Sequence, residues 1–162
     1  MSPIFRTVKL LIMDVDGTLT DGRIYIGADG EIFKAFDVKD GYGIHEILPQ
    51  HGIVPAIITG RKSKIVEERA AELGITELYQ GRRDKVGPLQ QLLSKYGCGP
   101  DNAAYIGDDV LDIPCMKLCG MKGCPSDAVP EVKSICDYIC QASGGHGAVR
   151  EFIEWLIRSG GE

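Results

Sequence analysis

No stretch of these 162 residues is long and apolar enough to cross a membrane, and none shows an internal repeat or low complexity. An excess of positive charge is also missing. Eighteen Lys and Arg face 23 Asp and Glu, a net charge of −5, which argues against a general nucleic-acid-binding surface. Neither a membrane nor a nucleic-acid partner is expected. The N-terminus carries no apolar h-region with a small-residue cleavage site, so no secretory signal is expected. Aromatics are sparse, at 7% with one Trp. Tyr42, Phe152 and Trp155 read as core or interface residues rather than cofactor contacts. The six cysteines form no Cys-x-x-Cys knuckle. The spacings Cys115/Cys119 and Cys136/Cys140 match no usual zinc pattern. They read as reduced thiols of a cytoplasmic protein, packed as small hydrophobes.

What is present fits one domain over residues 1–162, with the terminal segments 1–3 and 159–162 loose. Apolar strand candidates at 8–13, Val54–Ile58, 78–80, Ala103–Ile106 and 138–139 alternate with helical stretches at 44–50, 62–73, 86–96 and 148–157. Gly74 and Gly97 stand at helix ends, where glycine closes the last turn. This βαβα rhythm predicts an α/β fold: a Rossmann-like, doubly wound parallel sheet with right-handed crossovers. Pro55 is awkward inside a strand, so the second strand is expected to begin there. The stretch 120–125 is a poor strand sequence at a place where a short apolar strand is expected.

One segment breaks the rhythm. Residues 23–26 and 31–36 are β-rich, and Gly27-Ala28-Asp29-Gly30 joins them, a β-hairpin signal directly after the first strand. Two strands alone are marginal in water. The hairpin therefore either folds over its own site or pairs with another subunit.

The first strand empties into Asp14-Val15-Asp16-Gly17-Thr18-Leu19-Thr20. Two carboxylates at the carboxyl end of a buried strand look like a site, because burying them is costly unless they are paired or bound to metal. Thr59, Lys85 and Asp108 also fall at strand ends or helix starts, and parallel strands bring all of them to one edge of the sheet. Together they suit phosphoryl transfer through an aspartyl enzyme. Mg²⁺ suits Asp14 and Asp108. Lys85 and the Thr59 hydroxyl suit the phosphoryl oxygens, and Asp16 suits the proton transfers.

Asp14-x-Asp16-Gly17-Thr18, Thr59-Gly60, Lys85 and Gly107-Asp108-Asp109-x-x-Asp112 resemble the four motifs of the haloacid dehalogenase superfamily, in order and across nearly the whole chain. The resemblance implies Asp14 as nucleophile, Asp16 as general acid/base, and Asp14, Asp108 and the backbone carbonyl of Asp16 as Mg²⁺ ligands. The hairpin leaves no room for a cap domain, which matches the capless branch, whose members gain cover by forming tetramers. A homotetramer is therefore implied. Within that branch, Phe36-Asp37-Val38-Lys39-Asp40-Gly41-Tyr42-Gly43-Ile44, Ile57-Ile58-Thr59-Gly60-Arg61 and Gly144-Gly145-His146-Gly147 resemble phosphatases of an eight-carbon keto sugar acid 8-phosphate, used in making lipopolysaccharide. This places substrate contacts at Asp37, Val38, Lys39, Asp40, Gly41, His45, Thr59, Gly60, Arg61, Arg69 and Lys85, with Asp16 at the phosphate. The glycine-rich stretch resembles a tail that approaches an active site in the oligomer. Position 45 is often Arg in that group and position 37 often Asn; here they are His45 and Asp37.

Blander readings stand beside these. Thr59 alone reads as the N-cap of the next helix, and Lys85 alone as a surface lysine. The 37–40 segment alone reads as a charged loop. Arg69 alone reads as a partner of Glu67 or Glu72. Asp109 and Asp112 read as groups that orient Asp108. The competing functions are a phosphatase for a nine-carbon keto sugar acid 9-phosphate and a non-catalytic oligomerisation module. The presence of Asp14, Asp16, Lys85 and Asp108 together argues against the latter.

Overall fold

Leu10–Met13 (β1) is buried at every position. Successive strand side chains point to opposite faces. Leu10 and Ile12 accordingly join one apolar cluster, and Leu11 and Met13 the other. In the computed structural model, which describes residues 7–160, this strand is followed by the hairpin Tyr25–Gly27 (β2) and Gly30–Phe33 (β3), antiparallel and apart from the main sheet. The main sheet is completed by Val54–Ile58 (β4), Glu77–Tyr79 (β5), Ala103–Ile106 (β6), Met121–Cys124 (β7) and Tyr138–Ile139 (β8). All its pairings are parallel, in the order β5-β4-β1-β6-β7-β8.

Helices cover both faces. Val38–Tyr42 (α1), a π-helical turn at Gly43–Ile47 and Leu48–Gln50 (α2) run on without a break. They pack with Lys64–Glu72 (α3) against the Leu11 and Met13 face. Val86–Lys95 (α4), Ile113–Leu118 (α5) and Pro130–Lys133 (α6) cover the Leu10 and Ile12 face. Ala148–Gly160 (α7) returns to the first face, burying Phe152, Ile153 and Leu156. The crossovers change face between β1 and β6. Ligands of such sheets bind at that point, beyond the carboxyl ends of the strands.

The expected architecture is observed, with local corrections. Pro55 sits inside β4. The N–H of Val54 donates to Lys9 on the β1 side at 2.9 Å. Strand alternation therefore turns the proline nitrogen toward β5, whose pairing starts only at Ala56. The stretch 120–125 does contain a strand, β7. Gly123 is required there, since a Cβ would stand 2.3 Å from the Phe152 ring. The first helix begins at Val38, six residues before the expected start, and Asp37 caps it by accepting from the N–H of Lys39 at 2.6 Å. The charged loop expected at 37–40 is thus a helix start. Ser63, not Thr59, caps α3. Ser159 and Gly160, expected to be loose, continue α7. Positions 1–3, 161 and 162 lie outside the described residues.

Candidate active site

The turn after β1 is built on one carbonyl. The N–H groups of Thr18, Leu19 and Thr20 all donate to Val15 O, at 3.1, 2.9 and 3.1 Å. Gly17 has φ +91°, and a Cβ there would fall 1.9 Å from Asp108 Oδ2. Only glycine lets the loop after β1 close on the loop after β6. Behind this loop lies the glycine-rich turn before α7. Gly145 N donates to Thr18 O at 3.2 Å, and a Cβ on Gly144 would stand 2.0 Å from Gly17 O. The turn expected to reach a site in the oligomer therefore braces the aspartate loop of its own protomer.

Asp14, Asp16, Thr59, Gly60, Arg61 and Lys85 line one cleft of about 170 Å³, together with Asp109, Leu111 and Asp112. Asp14, Asp16, Thr59 and Lys85, the residues expected to carry the chemistry, are thereby brought together. Lys85 Nζ lies 3.1 Å from Asp14 Oδ1 and 2.7 Å from Asp112 Oδ1. Burial pulls its ammonium down, but Asp14 and Asp112 outweigh burial and hold it above its ordinary range. Burial also pushes the Asp14 carboxyl well up, helped by Asp112 and Asp108 and opposed by Lys85. Asp108 is lifted to about 6, chiefly by burial and against a hydrogen bond with Asp14. Two carboxyls this close hold one proton between them more readily than two charges.

That arrangement fits a divalent cation. Oxygens of Asp14, Asp108 and Asp112 all lie within 4.8 Å of one another, and hard carboxylate oxygens suit Mg²⁺. Asp112 is already saturated. It accepts from Lys85, from the Tyr105 hydroxyl at 2.6 Å and from the N–H groups of Asp108 and Asp109. It holds Asp108, as expected, and also Lys85, which was not expected, while Asp109 caps the short turn Val110–Asp112. The carboxylate of Asp16 is not in the oxygen cluster: Oδ1 is taken by Lys34 Nζ at 2.7 Å.

The remaining expected substrate residues lie elsewhere. Gly41, His45 and Arg69, with Val38, line a second, more open groove of about 330 Å³ that shares no residue with the first. Lys39 is exposed beside them. Arg69 pairs with Glu72 at 3.4 Å, reaches the Asp37 carbonyl and lies over the Phe36 ring. Asp40 is buried, accepting from Arg150 N at 2.9 Å and so tying α1 to the start of α7. Burial raises it from 3.8 to about 6. Lys34, Glu31 and Ser63 also belong to the site, and no motif in the sequence marks them. Lys34 bridges Asp16 and Glu31, and the Ser63 hydroxyl donates to Glu31 at 2.5 Å. The only signal was the expected strand over 31–36, in which Lys34 would alternate in phase with Phe36; the observed strand stops at Phe33, although Phe36 does pack on the core. The cysteines are free thiols, four of the six buried, as expected.

A family model of haloacid dehalogenase-like hydrolases matches residues 63–153. The 3-deoxy-D-manno-octulosonate 8-phosphate phosphatase of Escherichia coli K12 is 48% identical over 157 residues, spanning 97% of this chain and 83% of that protein. A crystal structure of the phosphatase of the same name from Yersinia pestis superposes with a TM-score of 0.92 at 45% identity, covering 96% of this chain and 84% of its own. The Moraxella catarrhalis enzyme, crystallised with magnesium, phosphate and KDO, gives 0.90 at 41% identity, covering 96% and 88%.

Proposed function

The chain belongs to the haloacid dehalogenase-like hydrolases and, among them, to the 3-deoxy-D-manno-octulosonate 8-phosphate phosphatases, and from that membership we propose how its residues divide the work. It is a magnesium-dependent phosphatase that releases phosphate and the free eight-carbon keto sugar acid. The observation that carries the division of roles is Lys85 beside Asp14, at 3.1 Å, in an oxygen cluster with Asp108.

Asp14 and Asp108, with the Asp16 carbonyl, hold Mg²⁺, which when bound offsets charge on the phosphate. Thr59 and Lys85 grip the phosphoryl oxygens. An Asp14 oxygen attacks phosphorus; the bond to the sugar oxygen breaks, and that oxygen takes its proton from the Asp16 carboxyl. Asp16, now a carboxylate, accepts the proton of the water that attacks the aspartyl phosphate. Phosphate leaves, and Asp14 is regenerated. Arg61 suits the sugar-acid carboxylate, where a planar fork matches two oxygens.

We also read the assembly as a homotetramer in the cytoplasm. Ile26, Ile32 and Phe33 of the hairpin are 66%, 61% and 47% exposed, an apolar surface that a second copy would cover. Tetramer contacts would also bring the His45 and Arg69 groove of one protomer to the catalytic cleft of another. No helix among the described residues is long and apolar enough to cross a membrane. The function is tested by phosphate release from 3-deoxy-D-manno-octulosonate 8-phosphate and from nine-carbon keto acid 9-phosphates, with and without Mg²⁺. The eight-carbon ester should be preferred and the metal required. A preference for a nine-carbon ester, or a flat profile across simple sugar phosphates, would reassign the substrate.

A further inference from the structure

The side chain of Asp16 has two unequal oxygens. Oδ1 accepts from Lys34 Nζ at 2.7 Å, and Oδ2 lies 4.0 Å from Arg61 Nε, on the wall of the catalytic cleft. Lys34 itself has almost no freedom. Its side chain is 1% exposed, and Glu31 Oε2 takes a second of its protons at 3.0 Å. Glu31 is anchored in turn by the Ser63 hydroxyl, Ser63 caps α3, and Ser63 N donates to Gln80 at 2.8 Å. A rigid chain of polar contacts thus runs from the edge of the main sheet through the hairpin to one oxygen of Asp16. Burying an ammonium is costly unless it is fully paired, and Lys34 meets that cost with two carboxylates.

We propose that Lys34 is the positioning residue of the proton-transfer step: it fixes Asp16 through Oδ1 and so leaves Oδ2 as the oxygen that serves the leaving group. This rests on the reading of Asp16 as general acid. It gives the hairpin a duty inside its own protomer, separate from any contact between copies. Lys34 is too deeply buried to grip substrate, and it acts only through Asp16.

The consequence depends on the leaving group. The alkoxide of a sugar must be protonated as it departs, whereas p-nitrophenolate leaves readily without help. A general acid contributes roughly 10²–10⁴-fold only where protonation is needed. The test measures kcat/KM, which reports the first phosphoryl transfer, for Lys34→Gln, Lys34→Arg and Asp16→Asn. The substrates are the eight-carbon sugar acid phosphate and p-nitrophenyl phosphate. Lys34→Gln should lose on the order of 10–100-fold on the sugar ester and less than about threefold on the aryl ester. Lys34→Arg, which keeps the cation, should recover most of the sugar activity. Asp16→Asn should show the same selectivity more strongly. Equal losses of Lys34→Gln on both esters, whether from misfolding or from a general loss of charge, would overturn the proposal. Equal losses of Asp16→Asn on both esters would overturn the reading of Asp16, and the proposal with it.

Discussion

The ammonium of Lys85 stands 3.1 Å from Oδ1 of Asp14, although the two residues are 71 positions apart in the chain: Asp14 follows β1, and Lys85 stands just before α4. Nothing local pairs them; strand order does. With 4% of its surface exposed, Lys85 is held in place by the carboxylates of Asp14 and Asp112. Lys85→Met should lower phosphate release by about 10²–10³-fold, the usual cost of one lost electrostatic donor. It should also push the Asp14 carboxyl further up, since Lys85, with the Val15 N–H, opposes burial there. Steady-state phosphate release at saturating Mg²⁺ checks this, and activity within a few-fold of wild type would count against it.

Metal binding should be coupled to protons. Burial lifts Asp14 well above its ordinary range and Asp108 to about 6. A cation must displace the proton these carboxyls hold, so Mg²⁺ binds more tightly as pH rises through that window. The gain in melting temperature on adding Mg²⁺ should be small at pH 5 and larger at pH 7.5. A gain that is larger at the acid end would contradict the assignment of the ligands.

Asp40 makes a separate pH prediction. Its carboxyl rises from 3.8 to about 6 on folding, chiefly through burial, with Asp37 adding to the rise and Arg150 N, Gly147 N and Arg69 opposing it. The native state therefore holds this proton longer than the unfolded chain. Its contribution to stability is present below the unfolded value and is lost as pH climbs toward 6. The difference is worth roughly 3 kcal/mol at most. Asp40→Asn keeps an acceptor for α7 but no charge. The stability of this variant relative to wild type should therefore rise between pH 4 and pH 7. Parallel denaturant curves at each pH measure it; a relative stability that falls over that range would refute the account.

Gly17 allows the two aspartate loops to touch. At φ +91°, with a Cβ placed 1.9 Å from Asp108 Oδ2, Gly17→Ala forces the loops apart. The backbone strain alone should cost about 1–3 kcal/mol of stability. Mg²⁺ affinity and turnover should fall together, because the oxygen cluster opens. Isothermal titration with Mg²⁺ checks the first, phosphate release the second.

Ile26→Asp with Ile32→Asp places charges on the exposed apolar face of the hairpin. Wild type should scatter light as a tetramer at micromolar concentration and the double variant as a smaller species. A monomeric wild type would remove the hairpin from any role between copies.

The sheet and its helices were legible because parity and period are local properties. β1 splits its side chains between two clusters, and glycines close α3 and α4. Asp14, Asp16, Thr59 and Lys85, which line one cleft, were legible for the same reason: each follows a readable strand or precedes a helix. The start of the first helix was hidden because Asp37-Val38-Lys39-Asp40 is charged, and its cap is visible only once Asp37 meets the N–H of Lys39. The strand at β7 was hidden because Gly123 matters for what it lacks, a Cβ against Phe152. Lys34 was hidden because its partner Asp16 is 18 positions away, and a lysine in a hairpin ordinarily faces water.

The central claim is that Asp14 accepts the phosphoryl group. Asp14→Asn, assayed for phosphate release from 3-deoxy-D-manno-octulosonate 8-phosphate at saturating Mg²⁺, tests it most directly. The account predicts turnover at the level of the uncatalysed background, with the oligomer and melting behaviour of the variant preserved. Turnover within roughly tenfold of wild type would mean that another group, or water itself, attacks phosphorus.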